Sequence, residues 1–244
     1  MKLNVNVFAG EDLLIENLAG KLKQFILSGS NESKFLNIAL SGGKTPKTFF
    51  DYLSRNILGE NEWRKVRLFW VDERCVPPGH PESNYGMTKK HLLDKISIPE
   101  ENVFRIRGES DPADEAERYS TILNEHISLK NNIPEFDLIL LGLGEDGHTA
   151  SIFPSRLDLL VSRNNCEVTM HPVSNRKRIS LTGRVINNGA WVVFLVTGKN
   201  KSDAVSAVIN KVPGSEKLPA AGISPADGVL EWYLDREAAC KLKV

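Results

Sequence analysis

Two rhythms of apolar positions run along this chain. Strand-like runs occupy 4–8, 35–40, 66–71, 102–106, 136–141, 179–181, 191–197 and 229–234. A continuous apolar run such as 136–141 reads as a strand buried on both faces. Between the runs the spacing changes. Leu14, Leu18, Leu22, Phe25 and Ile26 fall on one stripe at helical period, the signature of an amphipathic helix. Residues 113–128 read as a charged surface helix with Ser110 or Asp111 as cap before Pro112, and 202–209 repeats apolar residues at helical spacing. Strands alternating with helices predict one α/β domain over 1–244, its mostly parallel sheet covered on both faces. The strand order is not legible from this pattern.

Composition narrows the reading. With 244 residues, 41% of them hydrophobic, the chain can bury a sizeable core. Lys plus Arg and Asp plus Glu both number 31. A net charge of zero argues against a broad nucleic-acid or anionic-membrane surface, while a local anion pocket stays compatible with it. The three cysteines, Cys75, Cys166 and Cys240, form no C-x-x-C pair, which suggests a reducing compartment without a disulfide framework. Cys75 lies near candidate site residues and reads as a passive thiol. Residues 1–12 carry no basic leader, and no apolar run has membrane-spanning length. The expectation is a cytoplasmic protein, a monomer or weak dimer.

The chemistry concentrates where strands end. The run 136–141 stops at a glycine-rich turn holding Glu145, Asp146 and His148, followed by Thr149, Ala150, Ser151 and then Phe153–Pro154. Open α/β sheets bind ligands at the carboxyl ends of their strands. His148 is the histidine of the five singled out as reactive. Gly142 to Gly147 also fits G-x-G-x-x-G, but a dinucleotide loop needs its third glycine to open a helix and an acidic residue to end the next strand. His148 follows at once, and Glu167 precedes the next expected strand, 168–173. A nicotinamide cofactor is therefore not expected.

Ser41, Gly42, Gly43, Lys44, Thr45 and Pro46 follow the run 35–40 and precede a helical segment, 47–55, with Pro46 suited to its first position. Glycines that free backbone N–H groups, a helix start and the Thr45 hydroxyl make a phosphate cradle; an ordinary tight turn is the alternative. Asp72, Glu73 and Arg74 end the run 66–71. Alternation along a strand puts Asp72 and Arg74 on one side and Glu73 on the other, as site residues or as a structural ion pair. In the loop that follows, His80 reads as a loop residue, and Ser83 or Asn84 as the cap of a further helix. Arg178, before Ile179, and the segment Gly198 to Lys201 supply cations near strand ends. Arginine suits bidentate phosphate contacts. Leu218 to Ala221 and Trp232 to Asp235 read as packing segments.

In order, SGGKTP, VDERCVPPGHPESN, LGLGEDGHTASIFP, RISLT, GKNK, LPAAGI and WYLD resemble the 6-phosphogluconolactonase family, from Ser41 to Asp235. That resemblance implies a three-layer α/β/α domain with a Rossmann-like sheet, shared with glucosamine-6-phosphate deaminases and ribose-5-phosphate isomerases. It implies hydrolysis of 6-phospho-D-glucono-1,5-lactone to 6-phosphogluconate in the pentose phosphate pathway, with a small-molecule substrate and no cofactor or metal. Carried over by motif, His148 is the general base, with Asp146 and Asp72 as the nearby carboxylates. Arg74, or N–H groups of Gly42 and Gly43, faces the oxyanion. Ser41, Gly42, Gly43, Thr45, Arg178 and Lys201 bind the substrate and its phosphate. The approach to Arg178 departs from the family, since Arg176 and Lys177 crowd it, leaving the choice between Arg176 and Arg178 open. The resembling deaminases carry an aromatic residue at the position of Arg74 and a glutamate after the histidine, where this chain has none. A sugar-phosphate sensor, the third reading, would need a DNA-binding segment for which 244 residues leave no room.

Overall fold

Along β8 (Leu138–Leu141) successive side chains go to opposite faces. Leu138 and Leu140 join one buried cluster, Ile139 and Leu141 another, as the period of two along a strand requires. A computed structural model describes residues 3–29, 35–55 and 58–243. Its strands are β1 (Leu3–Phe8), β2 (Leu36–Leu40), β3 (Val66–Trp70), β4 (Asp72–Arg74), β5 (Val103–Phe104), β6 (Leu129–Lys130), β7 (Ile133–Pro134), β8, β9 (Cys166–Met170), β10 (Lys177–Leu181), β11 (Trp191–Val196) and β12 (Val229–Asp235). Seven of them form one parallel sheet in the order β1-β12-β11-β8-β2-β3-β5.

Helices cover both faces. On one side α1 (Glu11–Gly29), α2 (Lys44–Leu53) and α3 (Glu60–Trp63) bury Leu14, Leu18, Phe49, Phe50 and Trp63 against Leu138, Leu140, Val193 and Leu195. There α4 (Asn84–His91) packs against α2. On the other side α5 (Pro112–His126), α6 (Gly183–Ile186) and α7 (Ser202–Ile209) bury Tyr119, Leu123, Ile186 and Val205 against Phe69, Ile139, Phe194 and Trp232. The three-layer α/β/α arrangement and the mostly parallel sheet are as expected, and α7 keeps the bounds that the periodicity implies.

Several elements differ from the expectation. The run 66–71 ends as a sheet strand at Trp70. Val71 then offers its carbonyl to Leu181 N–H at 2.8 Å, and the chain leaves the parallel sheet. Asp72–Arg74 becomes a strand of a separate antiparallel sheet, β4-β10-β9, which takes in the run expected at 179–181, while the strand expected at 168–173 forms at 166–170 and leaves 171–173 outside it. Glu167 lies inside β9 and does not precede it. The run 102–106 contracts to the edge strand β5. Helix α2 starts at Lys44, so Pro46 is its third residue and not its first. The proline is tolerated there because the first intrahelical bond comes one residue later, from Lys47 N–H to Gly43 O at 3.1 Å.

Candidate active site

The chain order explains where a cavity forms. From β2 the chain builds outward through β3 and β5, then returns to lay β8 on the other side of β2. This reversal opens a crevice at the carboxyl ends of β2 and β8, the place where such sheets hold ligands. A cavity of about 530 Å³ lies there, within the usual range for small-molecule sites. Ser41, Gly42, Gly43, Thr45, Asp72, Arg74, His148, Arg178 and Lys201 all line it. These nine come from five separate strand ends or loops. Asp146 is not in the lining; it holds His148 from behind.

The Asp146–His148 unit is set by the backbone of its turn. Asp146 Oδ1 lies 2.6 Å from His148 Nδ1 and also accepts His148 N–H at 3.1 Å. Its bond to His148 pulls the Asp146 carboxyl down to about 2, so near neutral pH it is an anion and only accepts. In the neutral ring this contact favours the tautomer with its hydrogen on Nδ1, which leaves Nε2 as the acceptor. Glycine at 144 is obligatory, because a Cβ there would overlap the His148 ring and the Asp146 carboxylate. Gly147 has φ +77°, the left-handed region that favours glycine, and no helix opens after it, which removes the dinucleotide geometry. Phe153 packs on the imidazole with ring centroids 5.0 Å apart. His171 meets the same phenyl ring edge-on at 5.3 Å.

Asp72 is buried and fully engaged. Ser151 Oγ donates to its Oδ2 at 2.6 Å, Asn84 Nδ2 donates to its Oδ1 at 3.2 Å, and Arg178 Nη1 lies 4.0 Å from Oδ2. Antiparallel register pairs Arg74 directly with Arg178. Like charges directly opposite each other destabilise a sheet, so this pair is costly unless an anion comes between. The two guanidiniums diverge: Arg74 Nη1 donates to Glu82 O at 2.6 Å, while Arg178 Nη1 reaches Ser151 Oγ at 3.4 Å. Each buried Nε is left without a partner, and burial pulls the Arg178 guanidinium below its ordinary range. Arg176 is on the surface, paired with Glu82 at 2.6 Å, and is absent from the cavity lining. Between the two candidates, Arg178 is the one that faces the cavity.

The start of α2 lines the cavity as well. Gly43, with φ +121°, is its N-cap, and no side chain caps the helix. Thr45 Oγ1 lies 2.7 Å from Thr197 Oγ1, tying this turn to the end of β11. Gly198, φ +97°, then turns the chain so that Asn200 and Lys201 line the cavity. Asp235, expected to serve packing alone, accepts Gly198 N–H through both carboxylate oxygens at 3.0 and 3.1 Å and also lines the cavity. Reading the sequence also missed Asn84, Thr197 and Ser151. Of the two cap candidates, Ser83 and Asn84, Ser83 is the cap, and this frees the asparagine amide for Asp72. Glycine at 42 fits the same contact, since a Cβ there would overlap the Asn84 amide.

The thiols stand apart from this chemistry. Burial pushes Cys75 up to about 11 and Cys166 to about 12, so neither is a thiolate near neutral pH. His80 Nδ1 accepts Glu82 N–H within its own loop. Among the described residues no three or more His, Cys, Asp or Glu side chains converge as a metal site. No described helix is long and apolar enough to cross a membrane.

The model of the glucosamine-6-phosphate isomerases/6-phosphogluconolactonase family matches residues 9–232. The chain belongs to this family. It is 39% identical over 224 residues to a 6-phosphogluconolactonase of Haemophilus influenzae, covering 91% of this chain and 94% of that protein. A 6-phosphogluconolactonase of Synechocystis is 36% identical over 245 residues, with each chain fully covered. Among solved structures, the 6-phosphogluconolactonase of Trypanosoma brucei superposes with a TM-score of 0.85 at 31% identity, covering 99% of both chains.

Proposed function

We propose that this protein hydrolyses 6-phospho-D-glucono-1,5-lactone to 6-phosphogluconate, the lactone step of the oxidative pentose phosphate pathway, within one domain spanning 1–244. The observation that carries the reading is the shared cavity, lined by a carboxylate-oriented imidazole, an uncapped helix start and the cations Arg74, Arg178 and Lys201. The named relatives supply the substrate.

In this reading Nε2 of His148 takes a proton from water as the oxygen attacks the lactone C1. Asp146 keeps the imidazole in the productive tautomer and stabilises the imidazolium. Negative charge developing on the carbonyl oxygen is met by Arg74. When the tetrahedral intermediate collapses, the ring oxygen leaves and the imidazolium returns the proton to it. Water has then been added across the C1–O bond. Gly43 and Thr45 at the start of α2, with Arg178 and Lys201, hold the phosphate. Ser41, Gly42 and Asp72 contact the sugar. Binding at the distant phosphate fixes the ring for attack and so lowers the barrier at C1. Asp146 and Phe153 both contact the His148 ring. Residues 149–154 offer no glutamate where the deaminase pattern carries one after its histidine, which favours the lactonase reading.

The test is the decay of freshly made 6-phosphogluconolactone, corrected for spontaneous hydrolysis. Purified protein should accelerate it. Arg178→Ala and Lys201→Ala should each raise KM for this lactone while leaving turnover of unphosphorylated gluconolactone nearly unchanged. Failure of the folded protein to exceed buffer refutes the hydrolase, and equal losses on both lactones refute the phosphate assignment.

A further inference from the structure

Between Asp72 and Arg74, both of which line the cavity, lies a carboxylate that does not. Glu73 is 2% exposed and absent from the cavity lining, and the chemistry proposed above does not use it. Its four acceptor positions are filled. Oε1 takes the N–H of Arg74 at 2.8 Å and of Asn84 at 2.7 Å; Oε2 takes the N–H of Tyr85 at 2.7 Å and the Ser83 hydroxyl at 3.1 Å. Asn84 and Tyr85 are the first two residues of α4, so Glu73 receives two N–H groups that the helix cannot pair internally. Ser83 Oγ accepts a third, from Gly86, at 3.0 Å.

A buried carboxylate is costly, and Ser83 already caps the helix. What Glu73 adds is the position of Asn84. From the N–H held by Glu73, the Asn84 side chain turns toward the cavity, where Nδ2 donates to Asp72 O at 2.9 Å and to Asp72 Oδ1 at 3.2 Å. The same side chain presses on Gly42, so closely that a Cβ there would overlap it. One buried acid thus fixes, through one asparagine, both a carboxylate of the cavity and the turn that leads into α2. With Ser151 on the other oxygen of Asp72, the carboxylate has no rotational freedom left.

We infer that Glu73 is a positioning residue, acting through Asn84 on Asp72 and on the Gly42 turn without touching substrate. The inference rests on the site reading given under Proposed function. A role in fold stability alone would change the melting temperature but not turnover per folded molecule.

A double-mutant cycle separates the two. Using 6-phosphogluconolactone, kcat is measured for the parent protein, Glu73→Gln, Asn84→Ala and the double variant, each confirmed as folded by circular dichroism. Displacing catalytic groups by an ångström or less costs roughly tenfold or more in kcat for each single variant, and the double variant should be no worse than the weaker single. Losses that multiply, or a Glu73→Gln protein with parental kcat, overturn the inference. Should Glu73→Gln fail to fold, Glu73→Asp, which keeps the charge and the Ser83 cap but shortens the reach to the Asn84 N–H, replaces it in the cycle with the same non-additivity expected at smaller amplitude. If the parent protein itself shows no activity on this lactone, it is the hydrolase reading that fails. An active parent with a multiplicative cycle refutes the Glu73 role alone.

Discussion

At the scale of single residues, the account turns on which nitrogen of His148 carries the hydrogen. Asp146 decides it, because a carboxylate ionised down to about pH 2 can only accept from Nδ1. Asp146→Asn introduces an amide that can also donate, which permits the wrong tautomer, so kcat should fall by about 10²–10⁴-fold. The same pair gives a stability signature. The folded-state value of Asp146 lies below the ordinary 3.8, so the native protein binds fewer protons than the unfolded one between those values. The contribution of the pair is therefore full above about pH 4 and is lost as the pH falls toward 2. Denaturant midpoints followed through that window should drop less for Asp146→Asn than for the parent; parallel drops would contradict the pairing.

At the scale of elements, the site depends on how helix starts meet strand ends. Gly42 is where α2's approach and α4's first turn touch. Gly42→Ala should displace the Asn84 amide from Asp72, lowering kcat and destabilising the fold by about 1–3 kcal/mol, the usual cost of overpacking. Adding Asn84→Ala should restore the melting temperature but not the turnover. Unchanged kcat and melting temperature in Gly42→Ala would contradict this contact. The elements also mark how far the sequence could be read. Runs buried on both faces, such as 136–141 and 191–197, announce themselves because every position is apolar. The departure at Val71 does not, because an antiparallel partner more than 100 residues away is a pairing decision that local pattern cannot carry. Asp72, Arg74 and His148 were legible as residue types at strand ends. Asn84, Ser151 and Thr197 were not, because their roles consist of contacts to distant segments.

At the scale of the whole molecule, sheet order is what makes a single site from scattered motifs. The strand ends of β2, β8, β11 and β12 bring Ser41, Gly142, Thr197 and Asp235 to one rim, and the small antiparallel sheet adds Asp72, Arg74 and Arg178. The family's name joins isomerases and a lactonase, so architecture alone does not choose the reaction; in the proposed mechanism the surroundings of His148 do. The most direct measurement is therefore the decay of 6-phosphogluconolactone with the parent protein and with His148→Ala, beside the affinity of both for 6-phosphogluconate. Loss of a general base should cut kcat by roughly 10²–10⁴-fold and leave product affinity within about twofold. A His148→Ala protein that turns over the lactone as fast as the parent would contradict the account.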